Sequence, residues 1–267
     1  SITRPGAMEG VKYLLIPNLD NFSWMTVVAA MGQMFYSLSI AMGILYTYGS
    51  YLKKEVDIEK STSQVEIFDT AIAVLAGLMI IPAVFAFSGG SPDTLQAGPS
   101  LMFITIPKVF ANMEMGDGVG ILFFLLVLFA ALTSAISLTE TSVSTFEDQF
   151  GWSRRKCSLL MAVIILVLGS ASALGFSSLD FVTLLGMSIL DFFDFLTNSI
   201  MIPLAALATC FLITRVVGLD AIAREVEQSS AFRRKKLYFF FMKYLAPVCI
   251  GIILVSSIAN AFGWISM

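Results

Sequence analysis

The stretch Gly32-Gln33-Met34-Phe35-Tyr36-Ser37-Leu38-Ser39-Ile40-Ala41-Met42-Gly43 lies inside the first long apolar segment of the chain, residues 24–51. It combines small and hydroxyl side chains and is bounded by glycine at both ends. A helix that is interrupted at membrane depth frees backbone polar groups, which are tolerated only where they are buried in protein or line a cavity. The stretch therefore predicts a broken membrane helix with a binding site at the break.

The composition of the chain is that of an integral membrane protein. Of its 267 residues, 57% are hydrophobic and 13% are charged, and the mean hydropathy is +0.86. Such values exclude an ordinary soluble domain. The net charge of −3 gives no reason to expect a nucleic-acid partner, and the absence of histidine argues against the commonest metal and proton-shuttle chemistries.

Six apolar segments are long enough to cross a bilayer, which predicts an all-α, polytopic membrane protein whose first transmembrane helix is discontinuous. The predicted helices occupy about 24–51, 62–88, 118–147, 155–175, 189–214 and 237–264. The loop 89–117 contains three prolines and an amphipathic stretch, and we expect it to form short helices that cap the outer face.

The distribution of basic residues predicts the orientation. Twelve lysines and arginines lie in the loops 52–61, 148–156 and 215–236, against three in the opposite set. The first set is therefore expected in the cytoplasm, so that both ends of this multi-pass cell-membrane chain are extracellular. Residues 1–5 do not read as a signal peptide, and we expect further spans to precede this segment.

The side chains at the break suit a cation and a zwitterion. Unwound carbonyls and the hydroxyls of Ser37 and Ser39 are the oxygen ligands that a small hard cation takes in place of water. The ends of the two half-helices can hold the charged ends of a zwitterion. In the alternative interpretation, both serines bond back to the preceding turn or pack against a neighbouring helix.

A second cluster of small and hydroxyl residues lies in the third span. Thr133 and Ser137 are four residues apart and share a helix face, with Ser134 adjacent. Close helix packing explains such a cluster when it stands alone. Its pairing with a broken span favours a polar cavity that both helices line.

Acidic residues within apolar segments cost free energy to place in the membrane, so they usually have a binding or transport role. Asp69 is a candidate cation ligand, or alternatively the N-cap of a second span that begins late. In the fifth span, Asp191 is a candidate cap and Asp194, one turn later, an interior partner for a cation. Glu147 and Asp148 mark the cytoplasmic end of the third span.

Taken together, these motifs resemble the neurotransmitter:sodium symporter family, in particular its bacterial amino-acid transporters, over essentially the whole chain. The similarity begins with Pro5-Gly6-Ala7-Met8-Glu9-Gly10, in the loop before the family's helix 6. The stretch from Gly32 to Ser39 resembles the broken helix 6, and Ala130-Ala131-Leu132-Thr133-Ser134 resembles the sodium motif of helix 8. The resemblance implies a LeuT-type inverted-repeat fold, here its second repeat plus one extra helix.

The resemblance also implies a role for individual residues. Substrate contacts are implied for Tyr36, Ser37, Ser39, Met42, Ser134 and Leu138. Sodium ligands are implied for Ser37, Asp69, Ala130, Thr133 and Ser134, in two sites that helix 1 completes. Gate residues are implied at Asp194 (outer gate), Phe103 (tip of the cap loop), Tyr51 and Asp148 (inner gate). Asp69 stands where the family usually has Asn, which changes the charge of that site.

The implied function is sodium-coupled symport of hydrophobic or aromatic amino acids by alternating access, with no enzymatic activity. Residues 1–267 are then a single transmembrane unit of a larger transporter. Its partners are the amino acid, sodium ions, the lipid bilayer and the family's helices 1–5. Two alternatives remain: a channel or membrane scaffold in which the hydroxyl clusters only pack, and a proton-coupled amino-acid carrier.

Overall fold

The computed structural model describes residues 6–87, 98–113 and 115–261, and these are largely helical. The helices are α1 (Ala7–Leu15), α2 (Trp24–Ser37), α3 (Ile44–Tyr51), α4 (Ile58–Phe87), α5 (Leu101–Ala111), α6 (Gly116–Phe150), α7 (Arg154–Leu174), α8 (Ile189–Val217), α9 (Leu219–Glu227) and α10 (Lys235–Ala259). The predicted cap loop lies partly outside the described residues.

Five of the described helices, α4, α6, α7, α8 and α10, are long and apolar enough to cross a membrane. The remaining predicted span is divided between α2 and α3, which are separated by residues 38–43. The prediction of an all-α, polytopic protein whose first span is discontinuous is therefore confirmed.

The break between α2 and α3 contains strained backbone. Ser39 and Ala41 have φ angles of 53° and 61°, and Gly43 has a φ of 82°. This left-handed conformation costs residues other than glycine about 1–3 kcal/mol, and it is kept only where the surrounding structure enforces it. The chain thus maintains an unwound segment at an energetic cost, as ligand-binding segments often do.

The chain divides into two compact units, residues 1–22 with 65–134 and residues 23–64 with 135–267. In the first unit, α1 packs closely against α4. A Cβ atom on Gly10 would lie 2.7 Å from the Cα atom of Pro82, so only glycine permits this approach. On α5, Phe110 contacts Phe123 of α6 with a ring separation of 5.4 Å. Helix α1 is not among the helices predicted from the sequence.

In the second unit, α8 packs against α10. Their contact is centred on the buried residues Ala206, Cys210 and Ile250. Both helices contain π-helical stretches, Phe195–Met201 and Leu212–Val217 in α8 and Phe241–Leu245 in α10. π-Helical turns inside longer helices often occur at functional sites, because they shift the register of the side chains that follow.

The start of α4 corrects one interpretation of Asp69. Helix α4 begins at Ile58, and the carboxylate of Asp57 accepts the backbone N–H of Lys60 at 2.9 Å. This hydrogen bond is the largest cause that lowers the pKa of Asp57 below its ordinary value of 3.8. Asp57 therefore caps the helix, and the interpretation of Asp69 as an N-cap is wrong because Asp69 lies roughly three turns inside α4.

The start of α8 differs from the prediction in a similar way. Ser188, not Asp191, is the N-cap: its Oγ atom accepts the backbone N–H of Asp191 at 3.2 Å. The same hydroxyl donates to the Asp191 carboxylate at 2.7 Å. Asp191 is thus the third residue of the helix and the partner of the cap. Its negative carboxylate also interacts favourably with the positive N-terminal end of the helix dipole.

A carboxylate from α4 holds the start of α10. The Oε2 and Oε1 atoms of Glu59 accept the backbone N–H groups of Arg233 and Arg234 at 2.8 and 3.2 Å. These amides immediately precede α10, where a helix has no internal acceptors to offer. Glu59 therefore caps a helix that begins far from it in sequence.

We expect Glu59→Ala to lower the stability of the full-length protein by about 1–3 kcal/mol, because two amides lose a charged acceptor. The measurement is thermal unfolding of the purified protein in detergent. Glu55→Ala is the matched control, since it removes the same charge from an exposed position nearby. Equal melting temperatures for the two variants would show that the Glu59 cap contributes nothing.

Candidate functional site

An open cavity of about 510 Å³ lies beside the break, within the second unit. Its wall brings together four residues singled out from the sequence: Tyr36, Met42, Leu138 and Asp194. The remaining wall residues are Ala41, Leu190, Phe193, Thr197, Asn198, Met201, Ile202 and Ala205. Ser37 and Ser39 lie in the same stretch of chain but are not among the residues that line this cavity.

The backbone at the break offers unused acceptors. The last turn of α2 closes with the amides of Leu38, Ser39 and Ile40, which donate to carbonyls of α2. Among the described residues, no backbone amide donates to the carbonyls of residues 38–42. Carbonyl oxygens left free in this way are suitable ligands for a hard cation or acceptors for an ammonium group.

The half-helix after the break is anchored by two tyrosines. The hydroxyl of Tyr46 donates to Thr209 Oγ1 on α8 at 3.0 Å. The Tyr48 and Ser137 hydroxyls are hydrogen-bonded at 2.6 Å, which ties α3 to α6. These bonds fix α3 on the helices that supply Asp194 and Leu138 to the cavity wall.

The carboxylate of Asp194 has a neutral partner on its own helix. The Nδ2 atom of Asn198, one turn later, donates to Asp194 Oδ1 at 2.5 Å. In the part of the chain that the structure describes, the Oδ2 atom of Asp194 makes no such bond and can accept from a cationic group. Asn198 was not predicted from the sequence, although an amide one turn after an acid in an apolar span is a pattern that could have identified it.

A second polar cluster joins α3, α6 and α7. The Tyr51 hydroxyl donates to Glu140 Oε1 at 2.8 Å, and the Arg154 guanidinium donates to the other oxygen of Glu140. Arg154 also lies 3.8 Å from a carboxylate oxygen of Glu147. The residue that bonds Tyr51 is therefore Glu140, whereas Asp148 is exposed at the end of α6 and forms no ion pair among the described residues.

From the sequence, Glu147 was predicted only to mark the end of the third span, and Glu140 had no predicted role. An acid in an apolar span followed by a basic residue at the start of the next helix is the signal that could have identified this pair. The ion pair links Glu140 in α6 to Arg154, the first residue of α7, across the short connection formed by residues 151–153.

In the first unit, two of the predicted sodium ligands are adjacent. Thr133 Oγ1 donates to the Ala130 carbonyl oxygen at 2.9 Å. Two oxygens at this separation can both contact one hard cation with ligand distances of about 2.3–2.6 Å, as calcium has. Ser134 follows Thr133 on the same helix. The donor set consists of neutral oxygens, which suits an alkali cation rather than a transition metal.

Two further predicted residues lie in the first unit. Asp69 is partly exposed in α4. Phe103, at the start of α5, is 65% exposed and stacks on Phe124 of α6 with a ring separation of 6.3 Å. Among the described residues, no group of three or more His, Cys, Asp or Glu side chains is placed to hold a metal ion.

Comparisons with known proteins give a consistent result. The model of the sodium:neurotransmitter symporter family matches residues 1–263. The uncharacterized sodium-dependent transporter YhdH of Bacillus subtilis is 32% identical, over 97% of this chain and 57% of its own length. An uncharacterized sodium-dependent transporter of Haemophilus influenzae is 34% identical, over 97% of this chain and 56% of its own length.

The fold is similar to that of a solved transporter. The crystal structure of MhsT in complex with L-phenylalanine superimposes with a TM-score of 0.83 at 36% sequence identity. The match covers 96% of this chain and 57% of the MhsT chain. The chain thus spans little more than half the length of MhsT and of the bacterial relatives.

Proposed function

Because the chain belongs to the sodium:neurotransmitter symporter family, a family of transporters rather than enzymes, we propose that it forms part of a sodium-coupled symporter for hydrophobic or aromatic amino acids. The observation that carries the proposal is the open cavity beside a break whose carbonyls have no backbone donors among the described residues. A cavity bounded by free carbonyls and apolar side chains fits a ligand with charged ends and an apolar body.

The cavity wall supports this substrate class. Leu138, Phe193 and Ile202 present apolar surface, and Met42 adds a flexible side chain that can adjust to ligands of different shape. The amino and carboxyl groups of the substrate bind at the break, where the ends of α2 and α3 contribute opposite partial charges. The similar structure of MhsT holds L-phenylalanine, which belongs to the same class.

Two groups of residues are proposed as sodium ligands. The Ala130 carbonyl, Thr133 and Ser134 form one group on α6, in which the Thr133 hydroxyl donates to the Ala130 carbonyl at 2.9 Å. Ser37 and Asp69 belong to the other. Each site is completed by a further segment of the transporter, equivalent to the family's helix 1. Ser39 and Ser134 complete the substrate contacts.

The mechanism is alternating access about the break. Sodium and substrate stabilise the same closed arrangement, so that each raises the affinity of the other. Asp194 and Phe103 act at the outer gate, while Tyr51 and Asp148 act at the inner gate. The transporter resides in the cell membrane with both ends of this segment outside.

The test is binding of radiolabelled phenylalanine and leucine to the full-length protein, first in sodium and then in potassium. We expect saturable binding in sodium only, with weaker competition by glutamate and glycine. Equal binding in both salts would overturn sodium coupling and indicate a proton-coupled carrier. Absence of binding in either salt would favour a channel or scaffold.

A further inference from the structure

Lys243 is a charged residue inside an apolar span. It lies seven residues beyond Lys236, near the start of α10, and therefore about 10 Å further along the helix axis. A charge at such a position is expensive unless it has a partner or reaches the membrane surface. Among the described residues Lys243 forms no ion pair; its ammonium lies 5.3 Å from the ring centre of Tyr244.

The side of α10 that carries Lys243 is turned away from the other described helices of this chain. Met242, Ala246 and Ile250 pack on the buried contact with α8. Lys236 and Lys243 are both exposed, as are Phe240 and Tyr244, at 54% and 55%. The outer side of the first turns of α10 is therefore lined by two ammonium groups and two aromatic rings.

The basic residues just before Lys236 make contacts of their own. Lys235 is paired with Glu227 at 2.9 Å. The backbone amides of Arg233 and Arg234 are held by Glu59, which fixes the entry to α10. Lys236 and Lys243 lie just past this entry, so the turns that carry them are held relative to the start of α4.

We propose that Lys236 and Lys243 bind the headgroup phosphate of an anionic phospholipid. Lysines near a helix end extend their ammonium groups toward the interface, where aromatic rings also reside. Two such groups reaching one headgroup from different depths complement its negative charge, and the exposed Phe240 and Tyr244 contact its acyl chains. The proposal concerns the outer surface of α10 and does not depend on the transported substrate.

The test uses the full-length protein in detergent with added phosphatidylglycerol or phosphatidylcholine, and measures the melting temperature and the lipids retained in native mass spectrometry. We expect phosphatidylglycerol to raise the melting temperature more than phosphatidylcholine does. The double variant Lys236→Gln/Lys243→Gln should lose about half or more of that rise, since each lysine near a membrane surface adds measurably to anionic-lipid binding. Fewer phosphatidylglycerol molecules should remain bound.

The matched control is Lys53→Gln/Lys54→Gln, which removes the same charge from an exposed loop. It should keep the wild-type response to phosphatidylglycerol. An equal response from both double variants would overturn the proposed site in favour of unspecific attraction. If phosphatidylcholine raises the melting temperature as much as phosphatidylglycerol, an anionic headgroup is not required. If soluble glycerol phosphate produces the same rise in melting temperature, the ligand is not a lipid.

Discussion

Replacing Thr133 with valine is expected to raise the sodium concentration needed for half-maximal substrate binding by roughly tenfold or more. Valine keeps the shape of threonine but removes the hydroxyl that lies 2.9 Å from the Ala130 carbonyl. A cation that binds here loses one of two adjacent oxygen ligands, and contacts of this kind to a charged group contribute about 1.5–3 kcal/mol. The measurement is sodium titration of radiolabelled phenylalanine binding.

Thr133→Ser is the control, because serine retains the hydroxyl while losing only a methyl group. We expect its sodium dependence to stay close to that of the wild type. If Thr133→Val binds sodium normally, or if serine and valine weaken binding equally, the hydroxyl is not a ligand and the cluster on α6 serves helix packing.

Replacing Gly43 with alanine is expected to disrupt both stability and substrate binding. Gly43 has a φ of 82°, and a Cβ atom there would lie 2.7 Å from the Cγ2 atom of Thr141. The left-handed backbone costs an alanine about 1–2 kcal/mol, and the steric conflict adds to this. Because Gly43 caps α3 and closes the break, the backbone must shift where the cavity is formed. Thermal unfolding and substrate binding would both be measured.

Gly49→Ala is the matched control within α3. A Cβ atom on Gly49 meets no atom within 4 Å, and alanine favours a helix by up to about 1 kcal/mol relative to glycine. Adding Thr141→Ser to Gly43→Ala should restore part of the loss, since it removes the conflicting methyl group but not the strain. Wild-type behaviour of Gly43→Ala would contradict the conformation described for the break.

The fold could be predicted because long apolar segments have few alternatives in a membrane. The break was located within residues 32–43, since glycine and serine are concentrated there. Two boundaries were not predictable from apolarity. Helix α1 is only nine residues long and amphipathic. The first turns of α4 carry Glu59 and Lys60, so the helix starts before its apolar part does.

The candidate site could be predicted only in part. Tyr36, Met42 and Leu138 were identified through their resemblance to family motifs, and the structure places them on one cavity. The partners of Tyr51 were not predictable, because Glu140 lies 89 residues away and no local pattern connects them. Whether Asp69, Ser37 and the other proposed ligands bind sodium stays a prediction.

The two tyrosine bonds of α3 have a mechanical consequence. Side chains two residues apart on a helix project about 200° apart, so Tyr46 and Tyr48 bond α3 to its neighbours on nearly opposite sides. Helix α3 therefore cannot rotate about its own axis without breaking one of these two hydrogen bonds. Helix α2 is held as well, since Phe35 packs against the buried cluster of Ala206, Cys210 and Ile250. Any change in the angle between α2 and α3 must then be taken up by backbone rotation within residues 38–43, which lie outside both helices.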